Sequence, residues 1–358
     1  MLTKRERMFK PTVVGGVLFL ALVLIFLVSS GVAAEKPINL KFSAFYSEAT
    51  AAGPLTKEFC RRLEDASEGK VKINIYWAGA LGPCPQQFDL VRGGVADLAL
   101  HYPLFTASRF PLSLFIEMPF IADNGVSTTK VFQEMLKQGL VTNEFKEVKL
   151  VSALGYPPLH MFSNKELTKV EDFEGIRTWS GQGPILAQTW ACVGATGVSL
   201  IWPEIYMGLE RGTIDCFLTT WGSATGLKTY QVVKHPTEIG FMGGFLTTLI
   251  MNKEKWDKIP PDIQKKWNKA GEQFALDYAQ ILEDYELRDR KILVEKGVTV
   301  DEFPASEKNR LAKKLLPVWQ TWIDKNGEPA KKIYHTYLDV MKKEGEQVLM
   351  QLPGLYKQ

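Results

Sequence analysis

The side chains from which a nucleophilic or metal centre is ordinarily built are few in this chain and poorly spaced for either. Its four histidines, His101, His160, His235 and His335, stand far apart, and no two share the short spacing that sets a pair of ligands on one metal. Cys60, Cys84, Cys192 and Cys216 form no C-x-x-C pair, so they read as small buried residues or at most one disulfide, which export would permit. No G-x-S-x-G elbow, G-x-x-x-x-G-K-[ST] phosphate loop or H-E-x-x-H helix occurs. Gly181-Gln182-Gly183 begins like a dinucleotide fingerprint, but its third glycine is missing. The expectation is a protein without catalysis, metal or cofactor. A secreted hydrolase or lyase is the alternative from another class, and it would need a base and a nucleophile in one cleft.

Charge points away from nucleic acid as well. The chain has 43 basic and 40 acidic side chains. Lys4, Arg5, Arg7 and Lys10, with one acid, Glu6, lie ahead of Glu35, so the rest of the chain carries no formal net charge. Phosphate recognition demands a basic stripe, and none is left over for it. The same basic cluster precedes an apolar run from Val13 to Val28 and the small residues Val32-Ala33-Ala34, which together read as a secretory signal peptide cut before Glu35. An uncleaved membrane anchor is the other reading of that run. No cysteine adjoins the cut, which argues against a lipid tether, and no later stretch is apolar enough to span a bilayer. The mature chain is therefore expected in the periplasm.

A binding cleft needs a frame. Strand-length apolar stretches alternate with amphipathic helical ones, which predicts an α/β architecture with mainly parallel sheets. Ile38 to Phe45 alternates with period two, and Pro54 to Ala66 sets Leu55, Phe59 and Leu63 on one helical face before Gly69. A strand over Val71 to Trp77, a helix over Gln86 to Val91 and a strand over Ala96 to Leu100 follow. A strand over Lys149 to Leu154 runs into Tyr156-Pro157-Pro158, and the pattern then restarts with Ile176 to Trp179, Pro184 to Val193, Thr196 to Ile201 and Glu204 to Arg211. Two such βαβ runs imply two lobes with the ligand between them. On this reading residues 1–34 are the signal peptide, 35–157 with about 240–260 form lobe I, and 158–239 form lobe II. Residues 261–296 make a long helix running along both lobes, and 297–358 a strand and helices packed on them, with helices over Glu307 to Lys325 and Glu328 to Lys343.

Several motifs, taken in order, carry a resemblance. Phe173-Glu174-Gly175-Ile176-Arg177, Gly194-Ala195-Thr196 and the run from Pro203 to Asp215 lie in the second half. Trp77 to Gly82, Leu90 to Asp97, Phe110-Pro111 and Met118-Pro119-Phe120 lie in the first, and Trp256-Asp257-Lys258-Ile259-Pro260 opens the long helix. Over essentially the whole mature chain this order resembles the solute-binding subunits of tripartite ATP-independent periplasmic (TRAP) transporters, the DctP-like family. The resemblance implies a two-lobed type II periplasmic-binding-protein fold that closes on a small organic ligand, typically an organic acid. It also implies two membrane partners, a small and a large integral subunit. An orphan ligand-sensing protein of the same fold, without a transporter, is a further alternative.

The resemblance also singles out residues. The family's G-x-K-x-R motif ends in an arginine that forks onto the ligand carboxylate. Counting without gaps from Gly175 sets Trp179 at that place and Arg177 at the lysine position. Trp179 then offers an aromatic wall or a face for a cationic amine, or packs in the core; alternatively the alignment slips and Arg177 turns inward. Trp221 is the second aromatic candidate. Tyr46 and Glu48 follow the first strand, Tyr102 the third, and Tyr156 and His160 sit at the crossing between lobes, where some relatives carry a second arginine. Glu204, Tyr206, Thr219, Thr220, Phe241 and Phe245 complete the candidate contacts, although helix capping and packing explain several of them equally well.

Overall fold

A computed structural model describes residues 36–50, 52–179, 183–200 and 204–355. The leader, its cut before Glu35, and Gly181, Gln182 and Pro203 lie outside the described residues.

In chain order the first half holds β1 (Ile38–Ser43), α1 (Ala52–Ala66), β2 (Val71–Tyr76), α2 (Gln87–Arg92), β3 (Leu98–His101), α3 (Gly125–Lys137) and β4 (Val148–Gly155). The chain then crosses to β5 (Leu159–Ser163), β6 (Arg177–Trp179), α4 (Pro184–Val193), β7 (Thr196–Val198), α5 (Ile205–Glu210), β8 (Cys216–Thr219), α6 (Trp221–Gly226) and β9 (His235–Met242). It returns through β10 (Leu246–Asn252) and α7 (Lys253–Asp257), and finishes with α8 (Pro261–Glu295), β11 (Asp301–Glu302) and α9 (Ala305–Glu344).

Two sheets result, β2-β1-β3-β10-β4 and β11-β9-β5-β8-β6-β7. They are mixed, where the alternation of elements predicts mainly parallel ones. β1 and β3 run parallel, as do β6 with β7 and with β8. β10, however, lies antiparallel to both β3 and β4, and β5 lies antiparallel to both β8 and β9. The cause is topological. β5 and β10 each follow a short crossing from the other sheet and enter against the run of their neighbours, whereas β11, which arrives by way of α8, joins β9 parallel.

The helices follow their sequence signals. α1 buries Leu55, Phe59 and Leu63 on one side. α4 opens with Pro184 in its first turn and ends on Gly194 in the left-handed region. α8 also opens on proline, runs for 35 residues, and at about 1.5 Å per residue is roughly 50 Å long. It packs on α1, α3 and β4 beside the first sheet and on α6 beside the second. α9 is two helices, broken where Gly327 leaves helical geometry at φ 61° and ψ −140°, and folded back so that Trp319 meets Tyr334 and Tyr337 with ring centroids 5.9 and 5.6 Å apart. Its first segment docks through two indoles: Trp319 Nε1 donates to the Pro119 carbonyl at 3.0 Å and Trp322 Nε1 to that of Pro111 at 2.8 Å.

All four thiols are free. No helix among the described residues is long and apolar enough to cross a membrane. The chain's end is pinned by one phenol: Tyr334 Oη donates to the Met350 carbonyl at 2.9 Å and accepts the Leu352 N–H at 3.0 Å. Tyr334→Phe removes both bonds and keeps the ring, so a loss of about 1–2 kcal/mol in a denaturant melt is expected, with faster proteolytic trimming of the tail.

Candidate functional site

The two sheets are joined at neighbouring crossings. One is Tyr156-Pro157-Pro158 between β4 and β5; the other is Gly243-Gly244-Phe245 between β9 and β10. They touch, with the Tyr156 N–H donating to the Phe245 carbonyl at 3.0 Å. A third segment braces them, since the Met118 carbonyl accepts the Gly243 N–H at 3.0 Å and Phe120 N–H donates to the Phe241 carbonyl at 3.3 Å. Both prolines fix φ, so the bend at the first crossing is largely set by the sequence.

Around these crossings the carboxyl ends of the parallel strands β1 and β3 open, which is where an open α/β sheet places its ligand. Aromatic side chains gather there. Phe45 and Tyr46 follow β1, Trp77 follows β2, Tyr102 and Phe105 follow β3, and Phe245 comes from the second crossing. Phe45 meets Tyr46 and Tyr102 with ring centroids 4.9 and 5.9 Å apart. Tyr46 lies 6.2 Å from Trp77, and Tyr102 lies 6.3 Å from Phe105 and 6.4 Å from Phe245. Every one of these rings is only half-buried, so the cluster is a lining and not a filled core. Tyr46 Oη and Thr56 Oγ1 are 2.5 Å apart, and the Tyr102 hydroxyl is hydrogen-bonded to that of Tyr156. Burial pushes all three phenols up, which keeps them neutral.

One buried acid reaches this lining through the backbone of Leu246, the residue after Phe245. Glu117 ends a 3-10 turn over Ser113–Glu117 and is 8% exposed. Its Oε1 accepts the Leu246 N–H at 3.4 Å, and Oε2 faces Gly183, where a Cβ would come within 3.9 Å of it. No cation pairs with it among the described residues, and burial raises its carboxyl to about 8. Sequence reasoning missed this residue. The available signal was a lone acid inside the otherwise apolar run Leu114 to Phe120.

Across the crossings, His160 Nδ1 accepts the Gly240 N–H at 3.1 Å, which leaves the ring proton on Nε2. Burial, with Lys308 and Arg290 nearby, holds His160 down to about 4, so it is a neutral donor. Trp221 lies 5.8 Å from that ring and 5.0 Å from Phe162, with the Arg290 guanidinium 5.8 Å over its face. Its backbone N–H and that of Gly222 are both held by Glu286 on α8, at 2.7 and 3.0 Å. Burial raises Glu286 to about 7.

The remaining candidates are dispersed. Trp179 is 8% exposed, stands edge-on to Phe217 at 5.6 Å, and spends its indole N–H on the Leu200 carbonyl at 3.0 Å. Arg177, its neighbour two residues back, is half-exposed and forks onto Asp215, with Nη2–Oδ1 at 2.9 Å and Nε–Oδ2 at 3.1 Å. Glu48 is exposed and pairs with Lys57. Phe241 is fully buried, stacked on Trp190 at 5.1 Å and Phe173 at 5.6 Å. Thr219 pairs opposite His160 in the sheet, and Thr220 caps α6 by accepting the Ser223 N–H at 3.2 Å. Glu204 is exposed at the start of α5, with Tyr206 half-buried in its first turn. Tyr46, Tyr102, Tyr156 and Phe245 are thus brought together, as are His160, Trp221 and Thr219. Among the described residues no group of three or more His, Cys, Asp or Glu is gathered as a metal would require.

Two sheets joined by paired crossings, with a half-open aromatic lining beside them, define a two-lobed α/β solute-binding protein of type II. The chain matches the family model of the bacterial extracellular solute-binding proteins, family 7 (DctP), over residues 42–326, and it belongs to that family. It is similar to the C4-dicarboxylate-binding periplasmic protein DctP of Rhodobacter capsulatus, at 24% identity over 82% of this chain and 89% of that one. Its fold is similar to that of a TRAP periplasmic solute-binding protein of Desulfovibrio salexigens, at TM-score 0.78 and 20% identity over 87% of this chain and 98% of the other. It is likewise similar to a TRAP solute-binding protein of Rhodoferax ferrireducens in complex with benzoate, at TM-score 0.77 and 23% identity over 86% and 98% of the two chains.

Proposed function

We propose that this protein captures a small ring-bearing organic molecule in the periplasm and delivers it to the two membrane subunits of a TRAP-type transporter, without changing the ligand chemically. The observation that carries the reading is the half-buried aromatic lining of Phe45, Tyr46, Trp77, Tyr102, Phe105 and Phe245 beside the crossings. Flat rings with neutral phenols suit a planar apolar body with a few polar edges. The Rhodobacter relative is named for C4-dicarboxylates, whereas the Rhodoferax protein holds benzoate, and the lining here favours the second kind of ligand. Support for the periplasm comes from the family's extracellular character and from the leader pattern ahead of Glu35.

The test is a thermal-shift screen of the chain from Glu35 against benzoate, mandelate and succinate, with small-angle scattering of each complex. Aromatic ligands should raise the midpoint and compact the protein, because closure is stabilised by ligand affinity for the closed form. Tyr102→Ala should remove most of that shift, and Arg177→Ala should leave it within error, its fork being occupied by Asp215. Succinate binding that depends on Arg177, with no response to any aromatic compound, would overturn the reading.

A further inference from the structure

We infer that Glu117 is the polar anchor of the cleft and that it selects a ligand carrying a basic nitrogen. The inference rests on the reading of this cleft as a ligand site and adds the charge class of what it takes.

Glu117 is held where a ligand would lie. Its Oε1 accepts from Leu246, the residue after Phe245 of the aromatic lining. Its Oε2 faces Gly183, the residue before the first turn of α4, and the same point on Gly183 is 3.9 Å from Leu104 Cβ, between Tyr102 and Phe105. The carboxyl group is therefore held from the first sheet at Leu246 and faces the helix start of the second lobe at Gly183. Both lobes meet at it.

A carboxyl in such a place is costly unless something pairs with it. The Leu246 bond is long, Oε2 accepts nothing among the described residues, and no Lys, Arg or His pairs with Glu117. Several other buried or half-buried acids among the described residues have two or more partners. Glu144 accepts from Leu112, Ser113 and the Ser113 hydroxyl, Glu286 from Trp221 and Gly222, and Asp215 from Arg177. Glu117 has one long hydrogen bond and no ion pair among the described residues, and its one donor, Leu246, adjoins Phe245 of the aromatic lining. A single carboxylate near an aromatic lining matches an ammonium or amidinium group, which the ring quadrupoles attract and the carboxylate neutralises. The two guanidinium positions that would favour an anion are absent from the cleft side. Arg177 is committed to Asp215, and the place where relatives carry a second arginine holds the neutral His160.

The test uses three probes of one size and shape that differ in charge: benzamidine, benzamide and benzoate. Calorimetric titration of the whole mature protein should rank benzamidine first by tenfold or more. Glu117→Gln should erase that preference while leaving benzamide affinity within about twofold, and Glu117→Asp should keep part of it. A thermal melt of each variant checks that it is folded. Tightest binding of benzoate or benzamide, binding of none of the three, or a ranking unchanged in Glu117→Gln would overturn the inference. The reading of the cleft fails separately: if no aromatic compound compacts the protein in solution scattering, the capture function is wrong, whereas compaction by benzoate with no role for Glu117 removes only the claim made here.

Discussion

Gly244→Ala is expected to cost about 3 kcal/mol or more and to abolish ligand-driven compaction. A Cβ at residue 244 would fall 2.2 Å from the Tyr156 carbonyl oxygen and 2.4 Å from that of Pro157. Those are backbone atoms at the other crossing, so no rotamer change relieves the clash. The two strand-to-strand crossings would have to separate, breaking the bond from Tyr156 N–H to the Phe245 carbonyl on which their spacing depends. The neighbouring Gly243 leaves no route for the shift, since its own Cβ position is 2.3 Å from the Ile116 carbonyl oxygen. Gly226→Ala is the control, at a site with nothing within 4 Å and an ordinary φ. Parallel thermal melts decide the matter: equal midpoints for the two variants would mean that the crossings yield easily.

Glu117→Gln should stabilise the empty protein, by roughly 2–3 kcal/mol at pH 7 and several degrees in midpoint. The sign follows from linkage. Burial raises the folded-state carboxyl to about 8, from an ordinary value of 4.5. Its contribution is fully present below pH 4.5 and is lost as pH rises through 8, because the unfolded chain ionises first. Glu286, raised to about 7, acts in the same direction. His101 and His160, held down to about 3 and 4, oppose them by favouring the fold as pH rises towards 6.5. Stability should therefore decline between pH 6.5 and 8, where only the carboxyls still titrate, and Glu117→Gln should flatten most of that decline. A melt series over this range measures it directly. A variant less stable than the parent at pH 8 would show that the carboxyl is better solvated than its burial indicates. Replacing a strained site residue commonly raises stability while removing the function it served.

Much of the frame was legible in the sequence where punctuation and period agreed. The proline and glycine flanking α4 mark both its ends, and Pro260-Pro261 with Gly297 brackets α8. The helix α3 escaped notice because its buried side is polar for a full turn. Ser127, Thr128 and Thr129 are all buried, with Thr128 and Thr129 donating to the Gly125 carbonyl at 3.0 and 2.7 Å, so hydroxyls stand where the apolar period should be. β5 escaped for a different reason: Met161, Phe162 and Ser163 are all fully buried, and a strand covered on both faces does not alternate. At the site, spacing left Arg177 and Trp179 unresolved for a geometric cause, since residues two apart on a strand share a face. In the structure Asp215 supplies two oxygens to the half-exposed Arg177 guanidinium, while Trp179 is 8% exposed. Glu117 lies in a short irregular turn with no period at all, and only its three-dimensional neighbours show it to be unpaired.

The position of β10 bears on how the chain acquires its structure. This strand fills the gap between β3 and β4, yet it is made nearly a hundred residues after β4, so until Asn252 has emerged the first sheet has two open edges and no middle. Sequence-distant pairing of this kind slows folding and exposes strand edges to other chains in the meantime. A polypeptide truncated anywhere before Leu246 should accordingly be an aggregation-prone fragment and not a single working lobe. Neither half of the molecule can be cut out as a contiguous piece, and the two lobes acquire their stability together.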